Sequence, residues 1–304
     1  MSKKTVVVGI ALMSAIAAYA EAGARTDTEW RLPGVLFNAM VSEKNVAITR
    51  AVAYGPGPRQ KLDIYRPAPE ADRKAIVMFF YGGGWRRGER ATYRFIGAAL
   101  AAQGYIAVIP DYRLYPQSVF PAFMEDAALA YAYVAKNLAT GAEKRRIVLM
   151  GHSAGGYIAA LLALDKRYLA EAAPDAPPPA AVVGLAGPYS FDPTTWPRTR
   201  KIFAGAAANP DRARPVAFAS AEAPPMFFSR GANDQVVAAF NADDLASALR
   251  AKGVFVENKL YPGLGHVGLL LTLSRPFRWR APVLDDSIAF MDQALGEAKV
   301  TALR

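Results

Sequence analysis

The chain has 304 residues, is 53% hydrophobic and 20% charged, and carries a formal net charge of +10. That length and apolar content suit one large α/β domain and exclude an intrinsically disordered chain. The sequence contains no cysteine, which excludes disulfides, thiolate catalysis and lipid attachment at a processed cysteine.

The positive charge is divided among short clusters: Arg86-Arg87, Lys144-Arg145-Arg146 and Arg198 to Lys201. None lies in a nucleic-acid motif, so a dispersed basic surface is expected and no nucleic-acid partner.

In chain order, Lys3-Lys4 precede an uncharged, mostly apolar run from Thr5 to Ala20, with small-x-small sites at Ala18-Tyr19-Ala20 and Ala22-Gly23-Ala24. Residues 1–24 are expected to be a signal peptide cleaved after Ala20 or Ala24, giving a periplasmic or secreted protein. The run falls short of the roughly 20 apolar residues of a membrane span; a retained anchor is the alternative. Residues 25–304 are then expected to form one domain, with no stable membrane insertion after cleavage.

"VAITRAVAY" (46–54) and "KLDIYRP" (61–67) alternate in polarity around a Gly-Pro-Gly-Pro turn and predict an antiparallel hairpin at a sheet edge. "AIVMFFY" (75–81), "YIAVIPDY" (105–112), "RIVLMG" (146–151), "AVVGLAG" (181–187) and "PMFFSRG" (225–231) are continuous apolar runs, as in strands buried on both faces. Helices are expected over 90–102, 120–138, 154–164, 236–251 and 282–298. Strands alternating with helices imply a mostly parallel sheet with helices on both sides. Residues 188–224, rich in Pro and Ala, break the rhythm and must project from the sheet. They read equally as a cap over a site or as a plain surface excursion.

"MGHSAGG" (150–156) places Ser153 between a buried strand and an apolar helix, in the pattern G-x-S-x-G. A sharp strand-to-helix turn needs small flanking residues, and it presents the serine oxygen at a helix N-terminus. A serine nucleophile needs a base. The chain has two histidines. His152 adjoins the serine and points elsewhere, which leaves His266, on a Gly-rich stretch at a strand's C-terminal end.

The imidazole needs an orienting carboxylate. Asp234, after another buried strand, completes the order Ser153, Asp234, His266. The competing reading is that Asp234 caps a helix starting near Val236. Asp192, Asp211, Asp243 and Asp244 are weaker candidates, lying in the insertion or inside a helix. "YGGGWRRG" (81–88) supplies backbone donors for an oxyanion: Gly82 and Gly83, joined by the amide of Ala154. It is neither a G-x-x-x-x-G-K-[ST] phosphate loop nor a G-x-G-x-x-G loop. Trp85 and Tyr157 are candidate pocket residues. Asp111-Tyr112-Arg113 is expected to brace a loop.

These motifs resemble the α/β-hydrolase superfamily, in the hormone-sensitive-lipase-like branch with an H-G-G-G-W loop. The likeness is greatest to small bacterial esterases grouped with kynurenine formamidases and isoprenylcysteine methylesterases. It rests on "RQKLDIYRP", "YGGGWRRG", "GYIAVIPDYRLYP", "FPAFMEDA", "VLMGHSAGGYIAALLALD", "GLAGPY" and "LYPGLGHVGLLL", across most of residues 50–290. It implies Ser153 as nucleophile, Asp234 as acid, His266 as base, Gly82 and Gly83 as oxyanion loop, and no cofactor or metal. One departure stands out: Tyr81 occupies the position where the family loop has its histidine. A phenol can replace one hydrogen bond but not the imidazole's shape. The activity implied is hydrolysis of small carboxylic esters. Cleavage of a formamide (an arylformamidase) and a non-catalytic binding module are the alternatives.

Overall fold

The computed structural model describes residues 45–140 and 144–296, together with Asn38. The segment 1–24 lies outside the described residues, as does the end of the helix expected to reach residue 298.

Eight strands form one sheet: β1 (Ala47–Ala53), β2 (Lys61–Arg66), β3 (Ala75–Phe80), β4 (Ile106–Pro110), β5 (Arg146–His152), β6 (Ala181–Leu185), β7 (Met226–Gly231) and β8 (Val256–Tyr261). Their spatial order is β1-β2-β4-β3-β5-β6-β7-β8. The expected edge hairpin is present, since β1 pairs antiparallel with β2 and β2 with β4. All later pairings are parallel. The continuous apolar runs are the reason: every residue of β3, β4 and β6 is buried, as a sheet covered on both faces requires. Each fully buried Ile, Val or Phe contributes roughly 1.5–3 kcal/mol relative to exposure.

The covering helices are α1 (Arg94–Ala101), α2 (Ala122–Asn137), α3 (Ala154–Leu164), α4 (Lys166–Ala172), α5 (Phe240–Arg250), α6 (His266–Leu271) and α7 (Val283–Leu295). Helix α3, "AGGYIAALLAL", has no polar side chain except the tyrosine hydroxyl, and all its residues are buried. An apolar circumference of that kind suits only a central position. The sequence expectation differs at three places. Residues 90–93 form a 3-10 turn leading into α1. α5 starts at Phe240, four residues later than expected. The short helices α4 and α6 lie outside the expected helical segments.

Chain direction locates the site. From β3 the chain moves to β4 on one side, and from β5 to β6 on the other. β3 and β5 are neighbours, with Phe80 opposite Gly151. The crevice at their C-terminal ends is therefore a topological switch point, where open α/β sheets bind ligands.

Candidate active site

Ser153 follows β5 directly and precedes α3. Its backbone, at φ 55° and ψ −122°, is one that non-glycine residues rarely adopt. Such strain costs on the order of 1–3 kcal/mol and persists only when the surroundings enforce it. They do so here. The Ser153 N–H donates to Leu185 O at 2.8 Å, and its carbonyl accepts from Tyr157 N at 3.1 Å. The close approach of strand and helix explains the motif glycines: a Cβ on Gly155 would sit 2.0 Å from Phe80 O, and one on Gly151 would sit 2.2 Å from Gly155 O. Ser153 itself stays half-buried.

The loop after β3 runs beside it. A Cβ on Gly82 would lie 3.0 Å from the Ser153 Cβ, so the Gly82 backbone is against the serine. Gly83 has φ +125°, open to glycine alone. Among the described residues, no hydrogen bond uses the N–H of Gly82, Gly83 or Ala154. Those three groups remain available to a ligand.

Tyr81, at the loop's base, is wholly buried. Its ring lies between those of Tyr93 (5.1 Å) and Tyr112 (4.8 Å). Its hydroxyl donates to Asp111 Oδ1 at 2.7 Å and accepts from Arg59 Nη2 at 2.8 Å. The same Arg59 nitrogen donates to Gly88 O at 2.7 Å, pinning both ends of the loop. Burial, with Asp111 nearby, holds the phenol well above its ordinary pKa, so it remains a donor. Asp111 does brace the loop, but not through Arg113. Its partners are Tyr81, Arg90 and Arg59, whereas Arg113 pairs with Asp126 at 2.9 Å.

Asp234 lies three residues beyond β7, and His266 opens α6 five residues beyond β8. These strands are neighbours, with Gly231 opposite Tyr261. His266 Nδ1 and Asp234 Oδ2 are 2.8 Å apart, with both side chains nearly buried. The other oxygen, Oδ1, accepts from Val236 N at 2.8 Å and Val237 N at 3.0 Å. Asp234 thus meets His266 through one oxygen and caps a turn through the other; the helix expected near Val236 starts only at Phe240, so it caps no helix. Burial alone would raise its pKa. The His266 hydrogen bond and charge, with the two amides, hold it below the usual carboxylate value.

None of the weaker carboxylates is seen against His266. Asp192 accepts from Thr194, Asp211 pairs with Arg214, Asp243 accepts from Asn258 and Asp244 from Ser190.

His152 is placed differently. Its Nε2 lies 3.0 Å from the His266 carbonyl oxygen, and the two rings are 4.7 Å apart. Burial lowers its pKa to about 3. The ring is therefore neutral, and it donates Nε2–H to that carbonyl. His152 braces the backbone of His266 and carries it to the neighbourhood of Ser153. No hydrogen bond joins Ser153 to His266 among the described residues.

Trp85 and Tyr157 pack edge-on at 5.2 Å, and Phe203 of the insertion meets them at 4.9 and 5.6 Å. Tyr157 also donates to Ala213 O at 2.9 Å. The insertion, a series of 3-10 turns, is thereby fixed on the loop after β3. The Trp85 indole N–H is buried without an acceptor among the described residues.

A BD-FAE family model matches residues 62–249. The chain belongs to the BD-FAE family. Among curated proteins, isoprenylcysteine alpha-carbonyl methylesterase ICME of Arabidopsis thaliana is 35% identical over 136 residues, which is 44% of this chain and 32% of the relative. Esterase LipC of Mycobacterium tuberculosis is 30% identical over 237 residues, 71% of this chain and 59% of the relative. The matches to the methylesterases span 25–32% of their length. Among solved structures, esterase B from Lactobacillus rhamnosis superposes with a TM-score of 0.70 at 21% identity, over 95% of this chain and 98% of that one. A butyrate-bound esterase from Thermogutta terrifontis gives 0.69 at 22% identity, over 85% and 97%. The BD-FAE chain has the fold of these enzymes, the α/β-hydrolase fold.

Proposed function

We propose that this BD-FAE protein is a serine carboxylesterase that cleaves small carboxylic esters through an acyl-enzyme. The observation that carries the reading is the Asp234–His266 contact at 2.8 Å, set two strands along from the strained serine turn. In this reading Ser153 Oγ attacks the ester carbonyl carbon while His266 Nε2 takes its proton. Asp234 Oδ2 accepts the Nδ1–H and stabilises the imidazolium. The N–H groups of Gly82, Gly83 and Ala154 receive the carbonyl oxygen as it becomes negative, each worth about 2.7–4 kcal/mol in the barrier. The protonated imidazole then gives its proton to the leaving alcohol, and water repeats the sequence on the acyl-enzyme.

The relatives named as esterases support the same chemistry. The free indole N–H of Trp85 supports a pocket beside the loop. A fluorophosphonate tests the reading directly. Peptide mass mapping should find a single adduct on Ser153, and an unmodified or differently placed label would refute it. Export is proposed with it, on residues 1–24. A mature protein beginning after Ala20 or Ala24 and recovered outside the cytoplasm supports export, and one retaining Met1 in the cytoplasmic fraction contradicts it.

A further inference from the structure

Building on the esterase reading, we infer that the natural ester carries an anionic group (a carboxylate, sulfate or phosphate) received at a cationic rim beside the oxyanion loop. Two stretches far apart in sequence form this rim. One is Arg86, on the loop that bears Gly82 and Gly83. The other is Arg198, Arg200 and Lys201, in the insertion.

The fold brings them together. Arg86 Nη2 donates to the Arg198 carbonyl at 3.0 Å, and the Arg86 guanidinium lies 4.4 Å from the centre of the Tyr115 ring. Trp85 meets Phe203 at 4.9 Å, which lays the segment 198–203 onto the loop. All four cationic residues are exposed. Among the described residues, none of the four has a carboxylate within ion-pair distance. The acidic residues of the insertion are engaged elsewhere: Asp192 with Thr194, Asp211 with Arg214, Glu222 with Lys166. Around the rest of the oxyanion loop the pattern is the opposite, since Arg59 and Arg90 both rest on Asp111.

Uncompensated like charges repel one another. Around a cleft they focus a positive potential that concentrates anions there. An anionic substituent would relieve the repulsion and seat the ester with its carbonyl at Gly82 and Gly83. The attraction is between exposed charges, so salt must weaken it.

The test uses two matched ester pairs. Para-nitrophenyl butyrate against para-nitrophenyl hemisuccinate places the charge on the acyl side. Methyl para-acetoxybenzoate against para-acetoxybenzoate places it on the leaving side, and each rate is divided by that ester's alkaline hydrolysis rate. At low salt the charged member of at least one pair should be favoured by about tenfold or more in kcat/KM, chiefly through KM. The preference should fade at about 0.5 M NaCl and disappear in the triple variant R198E/R200E/K201E. Absence of preference in both pairs, or a preference the triple variant retains, overturns the inference. Fluorophosphonate labelling separates the failures. A labelled Ser153 with neutral esters cleaved but no charge preference removes the anion site alone. An unlabelled protein that cleaves none of the four removes the esterase reading as well. Labelling of the triple variant shows that it has folded.

Discussion

Replacing Asp234 by asparagine separates its two roles, because each oxygen serves one of them. The amide oxygen can still accept from Val236 and Val237, so the turn should hold. The amide N–H then faces His266 Nδ1, which favours the tautomer with its proton on Nε2. That ring cannot take the serine proton. In steady-state kinetics, kcat of the Asp234→Asn variant should fall on the order of 10⁴-fold, while stability changes by no more than about 1 kcal/mol. A loss of activity matched by a loss of folded protein would mean that Asp234 is only a turn residue.

The sequence offers Asp234 as a partner for His266 or as a cap, but does not say how its two oxygens are divided. Helix start signals suggested a cap near Val236, whereas α5 begins at Phe240 and the intervening residues form a turn. Contacts between distant positions have no local signature at all. His152 meets His266 across 114 positions, and Arg59 reaches Tyr81 across 22. Neither partner stands out in periodicity or spacing.

At the scale of elements, the turn between β5 and α3 is where sequence and structure agree most closely. The apolar run, the two glycines and the all-apolar helix are each local signals, and α3 occupies the expected 154–164. The structure adds the reason for the glycine at 155: β3 passes directly against the turn. A methyl group there would meet the Phe80 and Tyr81 carbonyl oxygens at 2.0 and 2.6 Å. The Gly155→Ala variant should lose at least about 2–3 kcal/mol, measured as a drop in the urea midpoint, with the proposed esterase activity falling alongside. A midpoint unchanged from wild type would contradict the close packing. Helices α4 and α6 escaped the sequence reading because seven and six residues are too few for a helical period to emerge. The insertion was equally opaque. It is held by tertiary contacts such as Phe203 against Trp85, not by a repeating pattern.

For the whole molecule, strand order brings four dispersed motifs to the C-terminal edge of one sheet. Gly82 and Ser153 follow adjacent strands at the switch point, and Asp234 and His266 follow the adjacent pair β7 and β8. Burial of titratable groups here also links stability to pH. His152 has an ordinary pKa of 6.5 and a folded value of about 3, so between these limits the unfolded chain binds a proton that the native state refuses. Stability therefore falls as pH drops through this window, by roughly 1.4 kcal/mol per pH unit. Asp234 acts in the same direction at lower pH. Its folded pKa lies below the usual value, so its contribution is present above the unfolded pKa and is lost as pH falls through the folded one. Urea unfolding at several pH values should show this slope, and His152→Asn should flatten it above pH ~4. Equal slopes in both proteins would contradict a buried neutral ring.

The central claim is that Ser153 is the attacking atom's residue, and kcat for para-nitrophenyl butyrate in wild type and Ser153→Ala tests it most directly. The account predicts a fall on the order of 10⁶-fold in the variant with its fold retained. Comparable rates in the two proteins would contradict it.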